Sequence, residues 1–170
     1  MNDENFSKSK VEQIEDTLIK LKELGVLETE IVKRYEDKIL SLKNNELSYF
    51  FAKNIEGADV KAHGNVIIGS KDLEYNYYFA VLPGADVKAH EQIIIDSKNL
   101  KFNLDFAKNV EGADVKAHGK VIIDSKNLEY NYIFARDVKG ADVKAHGKII
   151  LDSKDLKFNF LFARDIGRSD

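Results

Sequence analysis

Hydrophobic and polar positions alternate along this chain with helical spacing. Between Val60 and Gly69, the residues Val60, Gly64, Ile67 and Ile68 fall on one helical face, and Lys61, Asn65 and Gly69 fall opposite. A second run, Leu73–Ala80, follows at once and is rich in aromatic side chains. Residues that cap helix N-termini precede both kinds of run. Asp59, Asp86, Asp114 and Asp142 precede the first kind, and Asp72, Asn99, Asn127 and Asp155 the second. The Val–Ile–Ile and Tyr–Asn–Tyr segments have the composition of strands, so a β-solenoid competes. A strand ladder would carry turn residues at tighter spacing, however. Gly140 also follows Phe134–Lys139 as a helix C-cap would. The helical reading is the better one. Near the start, Val11, Ile14, Leu18 and Leu21 recur at helical spacing behind the capping-box pattern Ser9–Lys10–Val11–Glu12, and Gly25 closes that helix. A further helix is expected from about Glu30 to Lys43.

The pattern is a tandem repeat. GADVKAHGNVIIGS begins at Gly57, GADVKAHEQIIIDS at Gly84, GADVKAHGKVIIDS at Gly112 and GADVKAHGKIILDS at Gly140, at spacings of 27, 28 and 28 residues. Each continues into an aromatic half: LEYNYYFA from Leu73, LKFNLDFA from Leu100, LEYNYIFA from Leu128 and LKFNFLFA from Leu156. The one-residue deletion falls at Val81–Leu82–Pro83. Phe51–Ala52 matches the Phe–Ala of each unit and Asn44 takes the capping position, so residues 29–56 read as a degenerate earlier repeat. In it Tyr35 stands where His63 does, and Ile39–Leu40 where Ile67–Ile68 do. Glu74, Lys101, Glu129 and Lys157 alternate in sign, which suggests a duplicated pair of units stacked with Glu beside Lys.

A helix of about ten residues, a three-residue turn and a helix of about nine make each unit. One hairpin of this size cannot bury its apolar face alone, so neighbours must stack. The expected fold is all-α, an α-solenoid of eleven helices, with residues 1–56 forming an N-terminal capping helix and the degenerate repeat and residues 57–170 four hairpins. The unit FARDVKGADVKAHGKIILDS from Phe134 resembles short tandem helical repeats, about 28 residues long, of uncharacterised proteins from low-GC bacteria and their phages. The similarity covers residues 44–167. Those relatives often carry Pro after the capping Asp, where this chain has Leu73, Leu100, Leu128 and Leu156. The resemblance implies the fold and no activity. LKELGVLETEIVKRYEDKIL, from Leu21, resembles the short helical hairpin called SHOCT.

Composition narrows the function. The 170 residues carry a net charge of −3, and residues 57–170 hold 17 charges of each sign. Neither part has the basic excess that draws a protein to nucleic acid or anionic lipid. With no Cys, disulfides, thiol nucleophiles and Cys-ligated zinc are excluded. The charged start has no apolar signal region, and no apolar run is long enough to span a membrane, so a cytoplasmic location is expected.

No residue pattern points to catalysis. His63, His90, His118 and His146 share one repeat position, but stacked hairpins hold equivalent residues on the order of 10 Å apart. A zinc ion needs its ligands about 2 Å from one centre. The histidines are therefore read as members of the core edge with one ring nitrogen satisfied. Asn76, Asn103, Asn131 and Asn159 are read as a ladder tying each second helix to the backbone of the neighbouring repeat. No phosphate loop, paired-carboxylate or Ser–His–Asp pattern is present, so neither cofactor nor metal is expected.

Variable positions are more informative. On the second helices a mostly charged stripe has an apolar centre, made by Phe50, Tyr78, Ile133 and Leu161 together with Asp105, and flanked by Arg136 and Arg164. Apolar residues aligned on a solvated stripe point to partner binding, unless they pack on the adjacent hairpin. Lys61, Lys88, Lys116, Lys120, Lys144 and Lys148 line the other surface beside Asp96, Asp124 and Asp152. The aromatic C-terminal unit suggests a homodimer through that end. The expected function is a non-catalytic protein-binding module, an adaptor or scaffold. A different reading is a phage or mobile-element inhibitor that occludes a host defence nuclease such as a CRISPR effector, using the acidic Glu12, Glu15, Asp16, Glu23, Glu28 and Glu30. Direct nucleic-acid binding along the lysines is disfavoured by the charge balance.

Overall fold

A computed structural model of the chain describes residues 10–23 and 29–166. They form eleven helices: α1 (Lys10–Glu23), α2 (Thr29–Leu42), α3 (Asn45–Asn54), α4 (Val60–Ser70), α5 (Leu73–Ala80), α6 (Val87–Ser97), α7 (Leu100–Asn109), α8 (Val115–Ser125), α9 (Leu128–Asp137), α10 (Val143–Asp152) and α11 (Leu156–Asp165). No strand occurs among the described residues, and none of their helices is long and apolar enough to cross a membrane. Ser9, Gly25 and Glu28 lie outside the described residues.

From α2 onward, consecutive helices pair as hairpins, an even-numbered helix A followed by an odd-numbered helix B. The chain divides into two compact units, residues 1–86 and 87–170, one repeat beyond the 56/57 boundary drawn from the sequence. Within each unit the hairpins stack as an α-solenoid. The closest packing joins helix B of one repeat to helix A of the next: α3 to α4 in the first unit, α7 to α8 and α9 to α10 in the second. In the first unit α1 also rests on α3, where Ile14 and Leu18 join Val32, Ile39, Leu47 and Phe51 in one core. In the second, Leu104, Ala107, Ile122, Phe134 and Val138 form the core.

Capping accounts for the boundaries. Asp59, Asp114 and Asp142 each accept a backbone N–H three residues on, at 2.9–3.0 Å, and so open their A helices. Asn44, Asp72, Asn99, Asn127 and Asp155 do the same for the B helices. Four of the five A-to-B turns are tighter than the expected three residues, each a single left-handed lysine followed by the capping Asx, and the α10–α11 turn, Ser153–Lys154–Asp155, has all three. Ser125 Oγ donates to Ile122 O at 2.6 Å and accepts from Asn127 N–H at 3.1 Å, which fastens the turn across Lys126. Lys43, Lys71, Lys98, Lys126 and Lys154 all adopt this conformation, with φ of 48–58°. Gly140 is not the helix cap that its position suggested. The C-cap of α9 is Val138, and Gly140, with φ 84°, belongs to the turn that leads into the next repeat.

A side chain in the left-handed region costs roughly 1–2 kcal/mol, part of which Gly would lose again to its freedom in the unfolded chain. Lys126→Gly is therefore expected to stabilise the protein by about 0.5–1 kcal/mol. Urea unfolding measures this, and a lower midpoint would mean that the lysine stem contributes more packing than its backbone loses.

Candidate functional site

The most chemically distinctive feature is a buried joint that recurs between repeats. His63, His90, His118 and His146 are all fully buried, as are Phe51, Phe79, Phe106 and Phe134. Within each unit the Phe lies on the core side of helix B, and the His of the next helix A lands on its ring at three joints. The ring centroids are 5.1 Å apart for Phe51–His63, 5.2 Å for Phe106–His118 and 4.8 Å for Phe134–His146. The buried Asn of helix B holds the imidazole edge. His118 Nδ1 lies 2.8 Å from Asn103 Oδ1, and His146 Nδ1 2.8 Å from Asn131 Oδ1.

The Asn side chains set the tautomer. Asn131 Nδ2 donates to Ile122 O at 3.0 Å and to Asn127 O at 2.8 Å, which leaves Oδ1 as an acceptor. Asn103 Nδ2 donates likewise to Ile94 O and Asn99 O. Nδ1 of each His must then be the donor, and Nε2 of the neutral ring carries a lone pair. The backbone bonds of the Asn ladder thus stay within its own hairpin, not with the neighbouring repeat as the sequence suggested, and the link between repeats runs through His. The joint at the degenerate repeat is incomplete. Ser48 replaces the Asn, and both its Oγ and His63 Nδ1 are buried without a hydrogen bond.

Sequence reasoning missed the groups facing Nε2. Glu36 and Glu91 are buried acids at one repeat position, where Gly64, Gly119 and Gly147 stand in the other units. Glu36 Oε1 accepts the Asp59 N–H at 2.6 Å and lies 3.3 Å from His63 Nε2. Glu91 Oε1 accepts the Asp114 N–H at 2.5 Å and lies 3.3 Å from His118 Nε2, while Lys88 Nζ donates to Glu91 Oε2 at 2.7 Å. Each acid clasps the N-terminus of the next helix A, where the helix dipole favours negative charge. Two acceptors cannot face each other at 3.3 Å, so the Glu91–His118 pair holds one proton between its members. Burial pushes the Glu36 carboxyl up and the His118 imidazole down. The signal was present in the aligned units, as the single Glu of GADVKAHE among copies of GADVKAHG.

The sequence-derived stripe is distributed over several environments. Phe50 and Ile133 are half-buried and pack against the cores of their own units. Tyr78 is exposed, and its hydroxyl donates to Glu74 at 2.9 Å. Asp105 pairs with Lys101 of its own helix at 3.0 Å. Arg136 binds Asp137 at 2.5 Å and Tyr132 Oη at 3.1 Å, and Arg164 binds Asp165 at 2.5 Å. Arg136 and Lys108 hold the Asp137 carboxyl down at about 2. Lys108–Asp137, at 3.2 Å, and Tyr132–Asp165 connect successive B helices. Leu161 is half-buried on α11. On the opposite surface Lys120 pairs with Asp124 at 2.8 Å, and Asp96 accepts from Gln92. No three metal-ligating side chains gather among the described residues. Compared with known proteins, the chain matches no family model, no curated protein and no solved structure.

Two outcomes follow from the joint. Burial lowers His63 and His146 from their ordinary 6.5 to about 4. Folding therefore excludes protons: their contribution to stability is complete above 6.5 and is lost as the pH falls toward 4. Each loss is on the order of 3 kcal/mol. Urea midpoints across that window should fall, and less steeply in His146→Gln. An equal slope in that variant would exclude His146 as a source. Ser48→Asn should complete the first joint and stabilise the protein by about 1 kcal/mol, and a lower unfolding midpoint would show that the site has no room for the amide.

Proposed function

We propose that this chain is a non-catalytic helical-repeat module that binds another protein, with α11 as its main contact face. The observation that carries this reading is the exposure of α11. Helices α7 and α9 each bury four residues, whereas α11, the equivalent helix B, buries none. Leu156 is 85 % exposed and Phe160 64 %. In the preceding repeat Tyr132, the equivalent of Phe160, is buried and meets Phe158 and Asp165 of the next helix B, and no described helix takes that place on α11. The ion-paired Arg164–Asp165 borders the exposed residues. Apolar residues with a charged border are the common composition of a protein interface. The non-catalytic reading is supported by the use of the buried Asn and His side chains in holding the repeats together.

A second copy of the chain is the first partner to consider, because two α11 faces can pack about a two-fold axis. Light scattering at micromolar concentration should give a mass near twice the 19.3 kDa of one chain. Leu156→Asp with Phe160→Asp should return the monomer with unchanged helical content. A monomeric wild type would exclude the homodimer. Tagged wild type and double variant then serve as baits, and equal recovery of proteins by both would exclude the α11 face as a binding surface.

A further inference from the structure

We infer that the cavity at Gly119, between α8 and α10, is a binding site for a carboxylate supplied from outside the chain. Two successive joints of the second unit differ by one side chain. Lys88, Glu91, Asp114 and His118 form one set, in which the Glu91 carboxylate accepts from the Asp114 N–H and from Lys88 Nζ and lies 3.3 Å from His118 Nε2. Moving each residue forward by one repeat gives Lys116, Gly119, Asp142 and His146. The three groups that receive the carboxylate are kept, and the side chain that carries it is gone. In its place is a cavity of about 380 Å3, lined by Lys116, Gly119, Asp142 and His146. That is within the range of small-molecule sites.

The receiving groups are free for a ligand. His146 is fully buried, and its Nε2 has no hydrogen-bond partner. This nitrogen borders the place of the missing side chain, since a Cβ built on Gly119 would lie 3.4 Å from it and 3.3 Å from Phe134 Cε1. The Asp142 N–H, unlike its counterpart at Asp114, has no acceptor among the described residues. Lys116 is exposed at the edge of the cavity, as Lys88 is beside Glu91. An unpartnered buried polar atom needs an explanation. Three groups arranged as they are around a carboxylate one repeat earlier supply it.

The proton balance is set by Asn131. Because His146 Nδ1 donates to Asn131, Nε2 of the neutral ring can only accept. A carboxylate therefore enters together with one proton, which lies between its oxygen and Nε2, as in the Glu91–His118 pair. The other charged groups at His146 are Lys116, Lys120 and Asp124 on α8 and Asp142 on its own helix; α9 presents Asn131 and Phe134. Lys120 and Asp124 neutralise each other, and Asp142 Oδ1 is engaged with the Ala145 N–H. Lys116 is left to meet the ligand's second oxygen.

The test is a titration of the full chain with sodium acetate against sodium chloride of equal ionic strength, followed by NMR at the Asp142 amide and the His146 ring nitrogens. Saturable changes at both are expected, with an affinity that rises roughly tenfold for each unit of pH lowered through neutrality. Gly119→Glu supplies the carboxylate internally. It should abolish acetate binding and move the His146 ring signals to where those of His118 lie. Lys116→Met, at an exposed position, should weaken acetate several-fold without altering the fold. The absence of saturable change in the wild type would overturn the site, as would undiminished binding to a folded Gly119→Glu protein. Should that variant not fold, undiminished binding to Lys116→Met would overturn it instead. Affinity independent of pH would overturn the proton balance. A capped tripeptide with a central glutamate, and its glutamine counterpart, form the second arm. Tighter binding of the glutamyl peptide than of acetate supports the site and identifies an acidic partner side chain as the source; weaker binding supports it and identifies a free small carboxylate.

Discussion

A neutral imidazole buried between two helical hairpins is the constraint on which the rest of this structure depends. Burying a ring with two polar nitrogens in an apolar core costs free energy, which packing of its faces and a hydrogen bond to a ring nitrogen offset. Phe134 packs the face of His146, and Asn131 occupies Nδ1. Phe106 and Asn103 do the same for His118. Because Phe and Asn come from one repeat and His from the next, the joint links neighbours and sets their register. It also restricts the spacing of the units. The rings would lose their partners if helix B were shifted by one residue, since a helix turns about 100° per residue.

The second nitrogen separates the joints into kinds. At His118 a buried Glu on the preceding helix A accepts the amide that opens the next helix and lies 3.3 Å from Nε2, so one carboxylate faces both polar groups. At His146 the corresponding position is Gly119, and neither group is satisfied. Glu and Gly at one repeat position therefore distinguish a closed joint from one that can receive a ligand. Near-identical units can in this way differ in chemistry through a single side chain.

Much of the fold was legible because a tandem repeat reports its own structure several times over. Helix faces, caps and hairpin pairing could each be checked against four copies, and Asp59, Asp114 and Asp142 cap as read. The left-handed turns were not legible. Lysine is not a residue that marks positive φ, and the Ser125 bridge that holds Lys126 there joins backbone groups brought together only by the folded turn. The Asn ladder was found with the wrong partners for a similar reason. A buried amide must be satisfied somewhere, but composition does not say by which carbonyl.

The sequence by itself determined the all-α repeat, its period and the identity of the joint residues, because burial imposes one-dimensional periodicity on a helix. Only the tertiary structure decided what those residues do to each other. Glu91 and His118 lie 27 residues apart in the chain and 3.3 Å apart in space. Gly119 and His146 are separated by the same number of residues, and the cavity between them exists only once α8 and α10 are packed. Contacts across a repeat boundary depend on the stacking geometry of two rigid hairpins, and that geometry leaves no trace in the spacing of apolar residues along either one.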